Sequence, residues 1–137
     1  FFVNDGKPNS NYMEILDKII YSGKKILNVK EELKVIQARS FLQLPLSCEK
    51  LPLDPPHIDM IDKEHIVFLY YVKDNEANTI IYKDTSLKEK MTIYKKVKPK
   101  KGRLVIFNGK HYHTAEQPYK NVRCIINIDI LKPQKIV

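Results

Sequence analysis

Residues 66–72 read Ile-Val-Phe-Leu-Tyr-Tyr-Val, an uninterrupted run of apolar, β-branched and aromatic side chains. A short run of this composition is typical of a central β-strand that is buried on both faces. The polar residues 74–76, Asp-Asn-Glu, form a turn directly after it. The stretch therefore predicts a β-sheet whose centre lies at residues 66–72.

Short strands are predicted on both sides of this central run, and one helix precedes them all. The helix is predicted over residues 11–22, where apolar side chains recur on one face, Asn11 and Glu14 resemble a capping box, and Ser22-Gly23 provides a stop. The other strands are predicted at residues 33–37, 41–44, 79–82, 91–97, 104–107 and 122–131. One helix followed by about eight short strands predicts a mostly β fold, an antiparallel sandwich or jelly roll, with the strands at about 33–131.

The length and the cysteine content limit the class of protein. A chain of 137 residues has the size of one domain, which we predict to span 1–137. Cys48 and Cys124 have no metal-type spacing, which favours a reducing, cytoplasmic or otherwise intracellular location. No apolar segment is long enough for a membrane span or a targeting signal, so we expect a soluble protein with no membrane partner. Because the sequence begins with Phe1 rather than Met, we interpret it as part of something longer.

The net charge of +8 raises the question of a nucleic-acid partner, because lysine side chains neutralise phosphates. Most of the lysines are scattered, and the one dense group lies within residues 95–101. We interpret that group as the solvated rim of a hairpin, and the abundance of Lys, Ile and Asn also fits an AT-rich genome. A nucleic-acid partner therefore stays open but is not favoured.

The sequence His57-Ile58-Asp59 is a candidate metal-binding arm. In an extended segment His57 and Asp59 point to the same side, so both could hold one ion. Two imidazoles and one carboxylate form the ligand set typical of non-haem Fe(II) in oxygen-activating enzymes. The second imidazole could come from His111 or His113, between which strand alternation does not choose. The remaining histidine, His65, is interpreted as a partly exposed residue at the start of a strand.

The order of these motifs resembles the 2-oxoglutarate- and Fe(II)-dependent dioxygenases, in particular the prolyl 4-hydroxylase-like branch with its small phage and bacterial members. The resemblance covers roughly residues 39–131. It is carried by His57-x-Asp59, the Tyr-Tyr strand at 66–72, Gly102-x-Leu104-x-Ile106-Phe107, Tyr112-His113, Pro118 and Arg123.

This resemblance implies a double-stranded β-helix with Fe(II) held by His57, Asp59 and His113. The family spacing to Arg123, which follows His113 by ten positions, favours His113 over His111. Arg123 and Tyr71 match the family positions that bind the far carboxylate of 2-oxoglutarate. The implied activity is hydroxylation of a protein or peptide side chain by O2, with decarboxylation of 2-oxoglutarate to succinate and ascorbate as the reductant.

The sequence around Arg123 supports its assigned role, whereas the roles of Asn127 and of the two tyrosines stay open. Arg123 lies in an apolar strand, where burying its charge would be costly without an anionic partner, and a bound dicarboxylate would supply one. Asn127 has the same strand parity and could line the pocket or be ordinary strand-edge polarity. Tyr70 and Tyr71 point to opposite faces, and we prefer Tyr71 for the pocket.

Two other functions compete with this one. The same chemistry could oxidise or demethylate a nucleic-acid base, although the chain lacks a second arginine a few residues beyond Arg123. Alternatively, the chain could be a jelly-roll binding protein without turnover. The oligomeric state is not predicted.

Overall fold

Two antiparallel β-sheets and one helix make up the secondary structure of the described residues, which are 2–46, 49 and 51–133 of a computed structural model. The elements are β1 (Val3–Asn4), β2 (Lys7–Pro8), α1 (Met13–Leu27), β3 (Val35–Gln43), β4 (His65–Tyr71), β5 (Thr79–Tyr82), β6 (Ile93–Val97), β7 (Leu104–Asn108), β8 (His113–Ala115) and β9 (Arg123–Leu131). The larger sheet has the order β2-β1-β3-β9-β4-β7, and the smaller sheet has the order β6-β5-β8. The prediction of a mostly β, antiparallel, jelly-roll-like fold is confirmed.

The central strand β4 lies between β7 and β9 and is buried on both faces, as predicted. Ile66 and Phe68 pack with α1 in one apolar cluster, while Leu69 and Tyr71 belong to a second cluster on the opposite face. The larger sheet therefore has an outer face covered by the helix and an inner face that is turned away from it.

Strand β9 carries polar residues onto the inner face. Its isoleucines at 126, 128 and 130 pack on the helix side, and the residues between them alternate to the other side. Asn127 pairs with Leu69 of β4, and Asp129 pairs with Val67. Arg123, Asn127 and Asp129 are all buried, which places a row of polar side chains inside the fold.

The helix differs from its prediction at both ends. It runs from Met13 to Leu27 with Tyr12 as its N-cap, and no side chain forms the expected capping box. Gly23 does not stop the helix but lies against β4, because a Cβ atom at this position would be 2.0 Å from the Phe68 ring. The helix ends at Asn28, whose left-handed conformation (φ 53°) is common at helix C-termini.

The strands before the central run were predicted as two, and the structure has one continuous strand, β3. A bulge between Val35 and Gln37 precedes a regular pairing with β9 that extends to Gln43. The predicted break was wrong because the polar residue Arg39 faces the inside of the fold and continues the alternation. The three-residue strand β8 was too short to be predicted.

Some predictions fall outside the described residues or stay untested. Phe1 and Cys48 lie outside the described residues, and the prediction of a single domain over 1–137 stays a prediction. Within the described part of the chain, no helix has both the length and the apolar character needed to cross a bilayer.

Candidate metal and anion site

His57 and His113 are brought together by their own backbones. The N–H of His57 donates to the carbonyl of His113 at 3.0 Å, and the N–H of His113 donates to the carbonyl of His57 at 2.9 Å. The ring centroids lie 4.6 Å apart, and the Phe107 ring packs edge-on against His113 at 5.1 Å. The proline pair before His57 favours the extended conformation that this pairing needs.

Asp59 lies between the two imidazoles. Its carboxylate oxygens are 3.9 Å from His57 Nε2 and 3.4 Å from His113 Nε2. One ligand atom from each of these three residues lies within 4.8 Å of the others, so a single ion could contact all three. The structure thus brings together His57, Asp59 and His113.

Both imidazoles have their Nε2 atoms towards the carboxylate of Asp59. His57 Nδ1 lies 3.5 Å from the carbonyl of Pro55, and His113 Nδ1 lies 3.3 Å from the carbonyl of His111. A carbonyl accepts hydrogen bonds only, so these contacts favour a proton on Nδ1 of both rings. Each Nε2 can then bind an ion once it carries no proton of its own. Two imidazole nitrogens and one carboxylate form a donor set that suits Fe(II).

The surroundings of Asp59 keep it ionised. Arg39 Nη2 lies 3.5 Å from one carboxylate oxygen, and the side-chain amide of Asn127 donates to the other at 3.4 Å. Burial opposes ionisation, but the hydrogen bond and charge of His113, helped by His57 and Asn127, lower the pKa of Asp59 to about 2. Burial, followed by the charge of His113, lowers the pKa of His57. Near neutral pH the site therefore offers the carboxylate of Asp59 and the neutral imidazole of His57.

Arg123 is buried in the wall of the same cavity, where its hydrogen bonds go to neutral side chains. It is 3 % exposed, its two terminal nitrogens donate to Gln43 Oε1 at 2.6 Å and Thr79 Oγ1 at 2.9 Å, and its Nε makes no hydrogen bond. Both acceptors are neutral. Burial lowers the pKa of Arg123, and the charge of Asp54, which lines the same cavity, raises that pKa against the effect of burial. Among the described residues no carboxylate forms an ion pair with this guanidinium. Such a charge is expensive to bury unless an anion joins it.

Tyr71 supports this arrangement from behind. Its phenol is fully buried and donates a hydrogen bond of 2.7 Å to Thr79 Oγ1, the same oxygen that accepts from Arg123. Thr79 lines the cavity at this point, whereas Tyr71 is not part of the cavity wall. Burial raises the pKa of the Tyr71 phenol, so it stays a hydrogen-bond donor. A direct contact of Tyr71 with a co-substrate stays a prediction.

A single cavity of about 420 Å³ connects the histidine–aspartate group with the arginine. Its mouth is open beside His57, whose side chain is 56 % exposed, while Asp59 and His113 are largely covered. Apolar side chains, among them Phe41, Ile58 and Leu69, form other parts of the wall. The cavity can therefore hold a small anion at Arg123 and an ion near its mouth.

The fold of the chain is similar to that of a prolyl-4-hydroxylase. The solved structure of this enzyme, from Pseudomonas putida, matches with a TM-score of 0.54 over 96 % of this chain and 70 % of that chain. The two sequences are 14 % identical, and likeness at this level shows the fold alone. No protein-family model matches the chain, and no curated protein matches it in sequence.

The remaining histidines, His65 and His111, are not part of the group formed by His57, Asp59 and His113. His111 stacks beside Tyr94, with ring centroids 6.5 Å apart. His65 was expected to be partly exposed, and this expectation was wrong, since it is 2 % exposed on the inner face of β4. The strand run that begins at His65 is buried on both faces from its first residue, so its ring is covered.

Several residues of the site were missed by the sequence analysis. Gln43 and Arg39 share strand parity on β3 and both face the cavity, and Thr79 reaches it from the smaller sheet. Asp129 shares parity with Arg123 and Asn127, and this alternation was a signal that could have identified it. The positions of Gln43 and Thr79 depend on how distant strands pair, which local pattern does not reveal.

Proposed function

We propose that the chain is an Fe(II)- and 2-oxoglutarate-dependent dioxygenase that hydroxylates a side chain of a protein or peptide. The observation that carries the proposal is the convergence of His57, Asp59 and His113 at one end of a cavity whose wall also contains the buried Arg123, which hydrogen-bonds only to neutral side chains. The membership of the chain in the prolyl hydroxylase-like family is part of the same proposal.

The metal end of the proposal rests on the donor set. His57 Nε2, His113 Nε2 and an Asp59 oxygen would hold Fe(II), and three protein ligands would leave other coordination positions open. When bound, iron supplies oxygen activation coupled to decarboxylation of 2-oxoglutarate to succinate, with ascorbate keeping the metal reduced. Phe107 and the carbonyl contacts of both imidazoles keep the ligands oriented before any ion arrives.

The anion end rests on Arg123. Its guanidinium would hold the far carboxylate of 2-oxoglutarate, since a planar fork matches a carboxylate with two parallel hydrogen bonds. Gln43 and Thr79 fix the plane of the guanidinium, and Tyr71 fixes Thr79. Asn127, between the two ends, holds Asp59 through its side-chain amide.

The substrate class rests on the open mouth. The exposed edge of His57 and the neighbouring apolar residues Phe41 and Ile58 leave room for a side chain that projects from a larger molecule. The net charge of +8 keeps a nucleic-acid base as the second candidate substrate. Beside the metal ligands the cavity wall contains Phe41, Ile58 and one cation, Arg39, whose charge is met by Asp59, and this apolar wall favours the peptide.

The activity is tested by following 2-oxoglutarate conversion to succinate with Fe(II) and ascorbate, with and without a library of proline-containing peptides. We expect slow turnover without substrate, faster turnover with a subset of peptides, and loss of both in His57→Ala. His111→Ala is the matched control and should keep activity, since His111 is not part of the ligand group. Unchanged turnover in His57→Ala would refute the metal assignment.

A parallel assay with methylated oligonucleotides separates the two substrate classes. Stimulation by oligonucleotides and not by peptides would replace the peptide substrate by a nucleic-acid base. No succinate formation under any of these conditions would leave a jelly-roll binding protein as the better description.

A further inference from the structure

His65 and Asp129 form a second group of polar side chains with Asp59, and three buried atoms of these two residues make no hydrogen bond. His65 Nε2 and both carboxylate oxygens of Asp129 are buried without a hydrogen-bond partner. His65 is 2 % exposed and Asp129 is fully buried. Buried polar atoms are almost always paired in folded proteins, so three orphans in one place require a physical explanation.

The tautomer of His65 leaves an unpaired lone pair on Nε2. His65 Nδ1 lies 2.9 Å from the carbonyl of Lys63, so Nδ1 carries the proton and Nε2 of the neutral ring is a lone pair. His57 and His113 show the same contact with the carbonyl two residues before them. A histidine that binds a metal almost always donates its other ring N–H in this way.

The strand geometry gathers the three residues. Asp129 pairs with Val67, two residues beyond His65 on β4, so the two side chains are diagonal neighbours on the inner face. Asp59 reaches the same place from the loop before β4, and one ligand atom from each residue lies within 4.8 Å of the others. When both carboxyl groups are ionised they repel each other and the lone pair of His65, and a cation between them removes the repulsion.

The ring of His65 has little freedom to turn away. A Cβ atom on Gly109 would be 2.2 Å from His65 Nε2, so the ring occupies space that only glycine leaves open. The Gly109 N–H also donates to the His65 carbonyl at 2.9 Å. A second cavity, of about 370 Å³, is lined by His65 together with Asp62 and Lys110.

We infer that His65, Asp129 and Asp59 bind a second divalent transition-metal ion, with Asp59 bridging this ion and the iron of the proposed function. One imidazole nitrogen and two carboxylates suit Zn²⁺ and similar ions. The charge of the ion offsets both carboxylates and gives each orphaned atom a partner. Two ions that share one carboxylate would form a dinuclear centre of the kind that occurs in other metalloenzymes.

The test is the metal stoichiometry of the whole chain. Protein stripped with a chelator is dialysed against Zn²⁺, and bound zinc per chain is measured by mass spectrometry of the metal. We expect two equivalents in the natural chain, and one in His65→Gln and in Asp129→Asn. Asp62→Asn, an exposed carboxylate beside the second cavity, is the matched control and should keep two.

Asp59 belongs to both proposed metal sites, so variants of the residues that belong to only one site distinguish the second site from the proposed iron site. His57→Ala removes a ligand of the first site only, so it should also retain one equivalent. A single equivalent in the natural chain that His57→Ala abolishes would overturn the second site and leave the iron site standing. A single equivalent that His65→Gln abolishes and His57→Ala retains would support the site at Asp129 and overturn the proposed iron site. The natural chain's stoichiometry does not depend on any variant folding.

Discussion

At the scale of the residue, the buried charge of Arg123 yields the sharpest prediction. Arg123→Met keeps the metal ligands but removes the cation that would hold the far carboxylate of 2-oxoglutarate. Charge-assisted hydrogen bonds contribute about 1.5–3 kcal/mol, so we expect affinity to fall on the order of 100-fold. Calorimetric titration of the Mn²⁺-loaded protein with 2-oxoglutarate measures this without turnover. Arg103→Met is the control, because Arg103 is exposed and its side chain bonds the carbonyl of Lys98; an equal loss there would refute the assignment.

The buried carboxyl of Asp129 makes stability depend on pH. Burial, followed by the charge of Asp59, raises the pKa of Asp129 from 3.8 to about 8. A carboxyl whose pKa is raised by folding stabilises the protein below the unfolded value, and this contribution is lost as pH rises to the folded value. In chelator-treated protein, Asp129→Asn should therefore gain thermal stability over the natural chain between about pH 4 and pH 8, by roughly 5 °C. Melting temperatures across this range that differ by a constant amount would contradict the expectation.

At the scale of the element, helix α1 is held on the sheet by an unusually close approach at Gly23. Alanine is the better helix former by about 1 kcal/mol, yet its Cβ would be 2.0 Å from the Phe68 ring. Overpacking a core typically costs about 1–3 kcal/mol, so we expect Gly23→Ala to lower the free energy of unfolding in urea. Ser22→Ala, on the exposed side, should change it little. Combining Gly23→Ala with Phe68→Leu should recover part of the loss, and purely additive effects would argue against this contact.

The elements also show what a sequence pattern can and cannot predict. The run at 66–72 predicted β4 because burial on both faces leaves a local signature, and His57-x-Asp59 predicted a shared direction because strand alternation is local. The end of α1 was misplaced because the role of Gly23 depends on Phe68, far along the chain. Burial of His65 was missed for the same reason, since Gly109 of another segment provides the space for its ring.

At the scale of the whole molecule, the site is assembled from both sheets and from the loop between β3 and β4. Arg123 and Asn127 come from the larger sheet, Thr79 and His113 from the smaller sheet, and Asp59 from the loop. The alternation of inward and outward side chains along each strand could be predicted from the sequence. The contacts of Gln43 with Arg123 and of Asp59 with Asn127 depend on how distant segments pair, which the sequence pattern does not reveal. The family resemblance supplied the long-range pairing that composition and periodicity do not contain.

Because the proposed ligands come from both a loop and a sheet, binding of a metal ion there would involve the whole fold. An ion held by His57, Asp59 and His113 would join the loop to the smaller sheet, so a ligand that binds only the folded chain should stabilise all of it. At a hundredfold excess over its dissociation constant, Mn²⁺ would contribute about 2.7 kcal/mol, on the order of 5–10 °C in melting temperature for a chain of this size. His57→Ala should lose most of this shift, whereas His111→Ala should keep it, because His111 stacks beside Tyr94 apart from the ligand group. Amide hydrogen exchange should slow most at residues 54–60 and 111–115, the two segments that carry the proposed metal ligands. Exchange that slows only elsewhere would mean that the ion is held by other side chains.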